Sequence, residues 1–108
     1  MKFVTYITGK INKASKQESH ALWSHISIST KELYFFEKGM EANGIDTYVR
    51  GLDTKTILVD GYTFKIGYDH NRRESFTTVT TPDGLTFEVS EPKYRNQRTV
   101  TVRFFVGE

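Results

Sequence analysis

TILVDGYTFKIGYDHNRRESFTTVTTPDGLTFEV, residues 56–89, is the stretch whose reading decides the fold. Runs of Thr, Val, Ile, Tyr and Phe fill residues 56–59, 62–68, 75–80 and 85–89, and turn residues separate them. Asp60-Gly61 and Pro82-Asp83-Gly84 stand where tight hairpins belong, because glycine and aspartate tolerate the positive φ that such turns require. Within the runs, Tyr62, Phe64, Ile66 and Tyr68 alternate with Thr63, Lys65 and Gly67, and Leu85, Phe87 and Val89 alternate with Thr86 and Glu88. Period-two alternation describes a strand with one face in a core and one in water. Working outward, residues 46–50 and Thr99–Val106 read as further strands, the latter setting Val100, Val102, Phe104 and Val106 against Thr99, Thr101, Arg103 and Phe105.

Towards the amino terminus, Phe3, Thr5 and Ile7 alternate with Val4 and Tyr6 and stop at Gly9, so residues 2–8 read as a first strand and residues 10–15 as a polar connection. Ser15-Lys16-Gln17-Glu18 fits a capping box, and a helix from Lys16 would carry Leu22 and Ile26 on one face with Trp23 beside them. His25-Ile26-Ser27-Ile28 also alternates as a strand does, so residues 16–28 carry both readings. Ser29-Thr30-Lys31-Glu32 is a better-supported capping box, with Ile28 and Leu33 as a hydrophobic staple. Leu33, Phe36 and Met40 recur at helical spacing and Asn43-Gly44 offers a stop, which predicts a helix over Thr30–Ala42. Gly39 inside it marks either close packing against the sheet or a tolerated glycine. The expectation is an α+β fold: an antiparallel sheet of about six strands with one or two helices packed on one face, residues 1–108 forming a single compact domain.

A chain of 108 residues is long enough to bury a core without a staple, and it contains no cysteine. Disulfides, thiolate metal sites and cysteine nucleophiles are thereby excluded. MKFVTYITGK lacks the apolar run and cleavage site of a secretory signal, and no stretch approaches a membrane span, so a soluble, cytoplasmic protein with no membrane partner is expected. Net charge is only +2. Its distribution is more telling, for Lys2, Lys10, Lys13 and Lys16 precede the first acid, Glu18, while Lys93, Arg95, Arg98 and Arg103 run without an acid between Glu91 and Glu108. If the first and last strands were neighbours, the two stretches would add into one positive patch.

Catalytic chemistry finds little to build on. His20 and His25 are five positions apart, which suits a metal pair on neither a helix nor a strand, and His70 lies in the polar turn Asp69-His70-Asn71-Arg72-Arg73. His20 and Ser24 stand one helical turn apart, with no orienting carboxylate or oxyanion hole beside them. Glu37 and Glu41, at i and i+4, read as the solvent side of an amphipathic helix. No phosphate-binding glycine motif occurs, and no cofactor is expected.

Binding has more to work with. Pro92-Lys93-Tyr94-Arg95-Asn96-Gln97-Arg98 interleaves an aromatic with three cations and two amides ahead of the last strand. Tyr34, Phe35, Tyr48, Tyr94 and Phe105 fall off the apolar faces, and exposed Tyr, Phe and Arg are enriched in interface cores. These features point to a non-catalytic macromolecule-binding protein, an inhibitor or modulator that docks on a protein or a protein–nucleic-acid complex. In its plainness the chain is similar to accessory proteins of phage and mobile elements. The partner-binding residues expected are Tyr94, Arg95 and Arg98, then Arg72, Arg73, Arg103 and Lys93. Direct binding of RNA or single-stranded DNA by the same residues is the second reading, with Tyr94 stacking and the arginines on phosphate. A homodimer and a small enzyme assembled from distant residues complete the alternatives.

Overall fold

The computed structural model describes residues 1–15, 24–47 and 54–106. Along the chain they form α1 (Lys2–Ser15), β1 (Ser24–Ser29), α2 (Thr30–Ala42), β2 (Lys55–Val59), β3 (Tyr62–Asp69), β4 (Glu74–Thr80), β5 (Leu85–Ser90) and β6 (Thr99–Val106). The strands make one antiparallel sheet in the order β1-β6-β5-β4-β3-β2, and both helices pack on one of its faces. This is the α+β architecture expected.

The turns follow from local chemistry. Asp60 and Gly61 both take positive φ, at 51° and 82°, which matches the right-handed twist of the strands they join. Between β3 and β4 the Asp69 carboxylate accepts from the amides of Asn71 and Arg72 at 2.9 and 3.2 Å. Between β4 and β5 the Thr81 hydroxyl accepts from the Leu85 amide at 3.2 Å, and Gly84 supplies a φ of 95°. The central core row then runs Ile57, Phe64, Val79, Phe87, Phe104 from β2 to β6, each residue opposite the next.

α2 begins where its sequence says it should. The Ser29 hydroxyl accepts from the Glu32 amide at 3.1 Å, and the Ser29 amide donates back to the Glu32 carboxylate at 2.8 Å. Leu33, Phe36 and Met40 are buried, and Asn43 caps the end before Gly44 turns the chain with a φ of 75°.

α1 corrects the expectation for residues 2–15. The strand at 2–8 and the polar connection at 10–15 are one helix, whose buried residues are Phe3, Val4, Ile7 and Ile11. Those positions keep the 3.6-residue period, and the alternation of Phe3, Thr5 and Ile7 was a coincidence of the first seven residues. Burial of this stripe against α2 and the sheet outweighs the β preference of Val4, Thr5 and Ile7. The Phe3 ring stands edge-on to Phe36 at 5.4 Å and stacks near Phe64 at 6.2 Å, while Phe36 meets Phe87 at 6.1 Å. Phe3 also explains Gly39, since the close neighbour there is α1 rather than the sheet. The alternation at 25–28 belongs to a strand, β1, and residues 16–23 lie outside the described residues, His20 and Trp23 among them. Of the expected strand at 46–50, Asp46 and Thr47 are not in the sheet and the rest lie outside the described residues.

A second consequence concerns charge. The lysines of residues 2–13 ride on a helix on the core side of the sheet, and β6 lies between β5 and β1, neither of which contains a lysine or arginine. The expected single basic patch therefore does not form.

Candidate functional site

Two features flank the uncovered face of the sheet: the β3–β4 turn and the connection from β5 to β6. The uncovered face itself is mainly Thr56, Thr63, Thr78, Thr80, Thr86 and Thr101, with His25, Arg103, Glu88 and Lys65 in one row across the strands. Arg103 stands across from Glu88 on β5 and His25 on β1.

Arg72 curls from the turn over this face and is held by carboxylates. Its Nε donates to Asp69 Oδ2 at 2.8 Å and its Nη2 to Glu88 Oε1 at 2.9 Å, with Glu74 at 4.0 Å. The bond to Asp69 raises the guanidinium pKa further, and the Arg72 guanidinium in turn lowers the Asp69 carboxyl. Lys93 reaches the other oxygen of Glu74 at 3.2 Å. Arg72, Lys93 and Arg103 thus line one groove of about 300 Å³ with Glu74, Ser90, Glu91 and Gln97. Arg73, at a φ of 55°, lies in a neighbouring groove of about 400 Å³ with Tyr68, Pro92 and Lys93.

The remaining predicted residues line neither groove. Tyr94 is 71% exposed, and Arg95 and Arg98 are exposed beside it. Gln97 braces their loop: its Oε1 accepts from the Lys93 amide at 3.0 Å, its Nε2 donates to the Thr99 carbonyl at 2.8 Å, and its amide donates to the Tyr94 carbonyl at 3.2 Å. The Arg98 carbonyl accepts from the Thr30 amide at 2.9 Å, tying the loop to the first residue of α2. The structure therefore splits the seven predicted residues. Arg72 and Lys93 are ion-paired into the sheet margin, Arg103 stands on the uncovered face across from Glu88, and Tyr94, Arg95, Arg98 and Arg73 face solvent.

Sequence reasoning missed the counter-charges Glu74 and Glu88 and the brace Gln97. Glu88 was visible as a charge on the solvent face of β5, but only the sheet register brings it to Arg72. Glu37 was also misread as a solvated helix residue. It is partly covered, and burial first, then the neighbouring Glu91 carboxylate, push its carboxyl up to about 7. Glu41 remains on the solvent side, paired with Lys38 at 3.3 Å.

Among the exposed aromatics, Tyr34 and Phe35 stand clear of the core as the sequence implied, Phe105 is half-buried on the uncovered face, and Tyr48 lies outside the described residues. His70 is exposed and packs edge-on to Tyr68 at 4.8 Å. Among the described residues no group of three or more His, Asp or Glu is placed to hold a metal ion, and no helix is long and apolar enough to cross a membrane. Comparison with known proteins finds no matching family model, no matching curated protein and no matching solved structure.

Proposed function

We propose that the chain is a non-catalytic binding protein that docks through residues 92–98 on a protein or a protein–nucleic-acid complex and blocks or modulates it. The observation that carries this reading is Tyr94, 71% exposed on a loop whose backbone Gln97 holds in place. A tyrosine presented on a braced loop loses little conformational freedom on binding and offers a large contact area. Arg95 and Arg98 beside it supply the charged contacts that commonly accompany an aromatic anchor.

Direct nucleic-acid binding is the second reading, favoured by the exposure of Arg73, Arg95 and Arg98, which enter no ion pair among the described residues. It ranks second because Arg72 and Lys93 are engaged by Asp69, Glu74 and Glu88, which leaves fewer cations for phosphate.

The test is a pull-down with the whole chain, followed by affinity measurement on the retained partner. Tyr94→Ala with Arg98→Ala is expected to weaken that complex by tenfold or more, roughly the loss of one interface hot spot. Stability should stay within about 0.5 kcal/mol, as for other exposed substitutions. Unchanged affinity in the double variant overturns the assignment of the loop. Oligonucleotide binding that falls steeply between about 50 and 200 mM salt would instead establish the second reading.

A further inference from the structure

The helical layer carries a second unexplained surface, on the opposite side of the sheet from Arg72 and Arg103. On α1, Lys2, Tyr6, Gly9 and Lys13 fall at i, i+4, i+7 and i+11 and so share one stripe, with Lys10 next to it. On α2, Lys31, Phe35 and Lys38 share another, with Tyr34 at its side. Tyr6 and Phe35 meet edge-on at 6.3 Å, which joins the two stripes into one face. Tyr6, Phe35 and Tyr34 are 44%, 56% and 62% exposed, although each is an aromatic that a core would accept.

This face is positive and fixed. Five lysines surround the three rings: Lys10 and Lys38 are paired with acids of α2, while Lys2, Lys13 and Lys31 enter no ion pair among the described residues and leave the face positive. α1 contains no acid. Glu32 is enclosed by Lys10 at 2.6 Å, the Tyr6 hydroxyl and the Ser29 amide; Glu37 lies against Glu91; Glu41 takes Lys38. The same contacts hold the rings, since Tyr6 is anchored through its hydroxyl to Glu32.

Two details choose among occupants. The Lys10 ammonium lies 5.3 Å over the Tyr6 ring and the Lys38 ammonium 5.3 Å over the Tyr34 ring. Ring faces capped in this way are poor platforms for stacked bases, which argues against nucleic acid. The three uncompensated lysines, Lys2, Lys13 and Lys31, also oppose the meeting of this face with itself in a second copy. What fits is a protein surface that sets aspartates and glutamates around an apolar side chain, the carboxylates drawing the lysines while the apolar group packs on Phe35.

We propose that the α1–α2 face formed by Tyr6, Tyr34, Phe35 and their lysines is a docking site for an acidic protein segment, separate from the loop at 92–98. The probe is a displayed library of random dodecapeptides selected on the immobilised whole chain. Selected peptides should be enriched in Asp and Glu around Leu, Phe or Trp. Lys13→Glu with Lys31→Glu should weaken a selected peptide tenfold or more by fluorescence anisotropy, as should Phe35→Ala alone. Tyr94→Ala with Arg98→Ala should leave it unchanged, so failure here is distinguishable from failure of the loop. All substituted residues are exposed, and an unaltered circular dichroism spectrum confirms that each variant folds. Selection without acidic enrichment, or equal binding by the Phe35→Ala chain, overturns the proposal. It is equally overturned if Phe35→Ala instead abolishes oligonucleotide binding, or dissolves a dimer seen by sedimentation equilibrium.

Discussion

A Cβ added at Gly39 would sit 2.4 Å from Cγ of Phe3 and within 2.6 Å of two more of its carbons. Phe3 is buried between Phe36 and Phe64 and has nowhere to retreat. Gly39→Ala should therefore destabilise the protein by about 1–3 kcal/mol, because overpacking outweighs the gain in helix propensity. Gly9 provides the contrast within the other helix: nothing lies within 4 Å of its would-be Cβ, and Gly9→Ala should stabilise by about 0.5–1 kcal/mol. Urea unfolding of the two variants checks both signs. A glycine's neighbour is a tertiary fact, and the sequence alone leaves it open. Residue 39 looked the same whether Phe3 belonged to a strand or to a helix.

α2 meets its surroundings through two carboxyl groups, Glu32 and Glu37, which respond to pH in opposite ways. Partial burial works to raise Glu32, but Lys10, Ser29 and Tyr6 together outweigh it and hold the carboxyl at about 2. A depressed pKa contributes stability that is present above the ordinary carboxylate range and is lost as pH falls through about 4.5 towards 2. Glu37, raised to about 7 by burial and Glu91, contributes stability that is present below about 4.5 and is lost as pH rises to 7. Glu37→Gln should flatten the neutral limb of the stability profile and leave the protein about 1 kcal/mol more stable than wild type at pH 8, a figure reduced for its partial exposure. Glu32→Gln should cost about 1–2 kcal/mol at pH 7, through the cap and the Lys10 pair, and little near pH 2. Thermal melts across pH 2–9 measure both.

What was legible at the scale of elements depended on redundancy. α2 was readable to the residue because cap, staple, period and stop all agree at Ser29, Ile28, Leu33 and Asn43. β3, β5 and β6 were readable because one face of each is apolar. α1 was misread because it has no comparable start signal, and Phe3, Thr5 and Ile7 mimic a strand until Ile11 is counted in. The site divided along the same line. Tyr94, Arg95 and Arg98 are exposed because a polar loop leaves them so, which composition foretells. The fate of Arg72 and Lys93 rests on Asp69, Glu74 and Glu88; Asp69 and Glu74 flank the turn that holds Arg72, but Glu88 reaches Arg72 and Glu74 reaches Lys93 only across the sheet margin. Pairing across strands depends on register, which no local pattern states.

At the scale of the molecule, Phe3, Phe36, Phe64 and Phe87 join both helices to the middle of the sheet in one connected group. Phe36→Ala should remove about 3–5 kcal/mol, a large share of the ~5–15 kcal/mol typical of a domain. Because the group spans both layers, the far-ultraviolet and near-ultraviolet circular dichroism signals should still fall together on heating. Separate transitions would show that helices and sheet are held independently. The strand order has a kinetic corollary. From β3 to β6 every strand pairs with its predecessor through a turn or short connection, so the β2–β6 meander can zip from local contacts. β1 is different, since Ser24 pairs with Phe104 and the closure spans most of the chain. Closing so long a loop is the entropically slow event, and α2, which follows β1 directly, takes its final seat only when that closure is made. β6, synthesised after β2–β5, thus acts as a latch: until it emerges, β1 lacks the strand it pairs with.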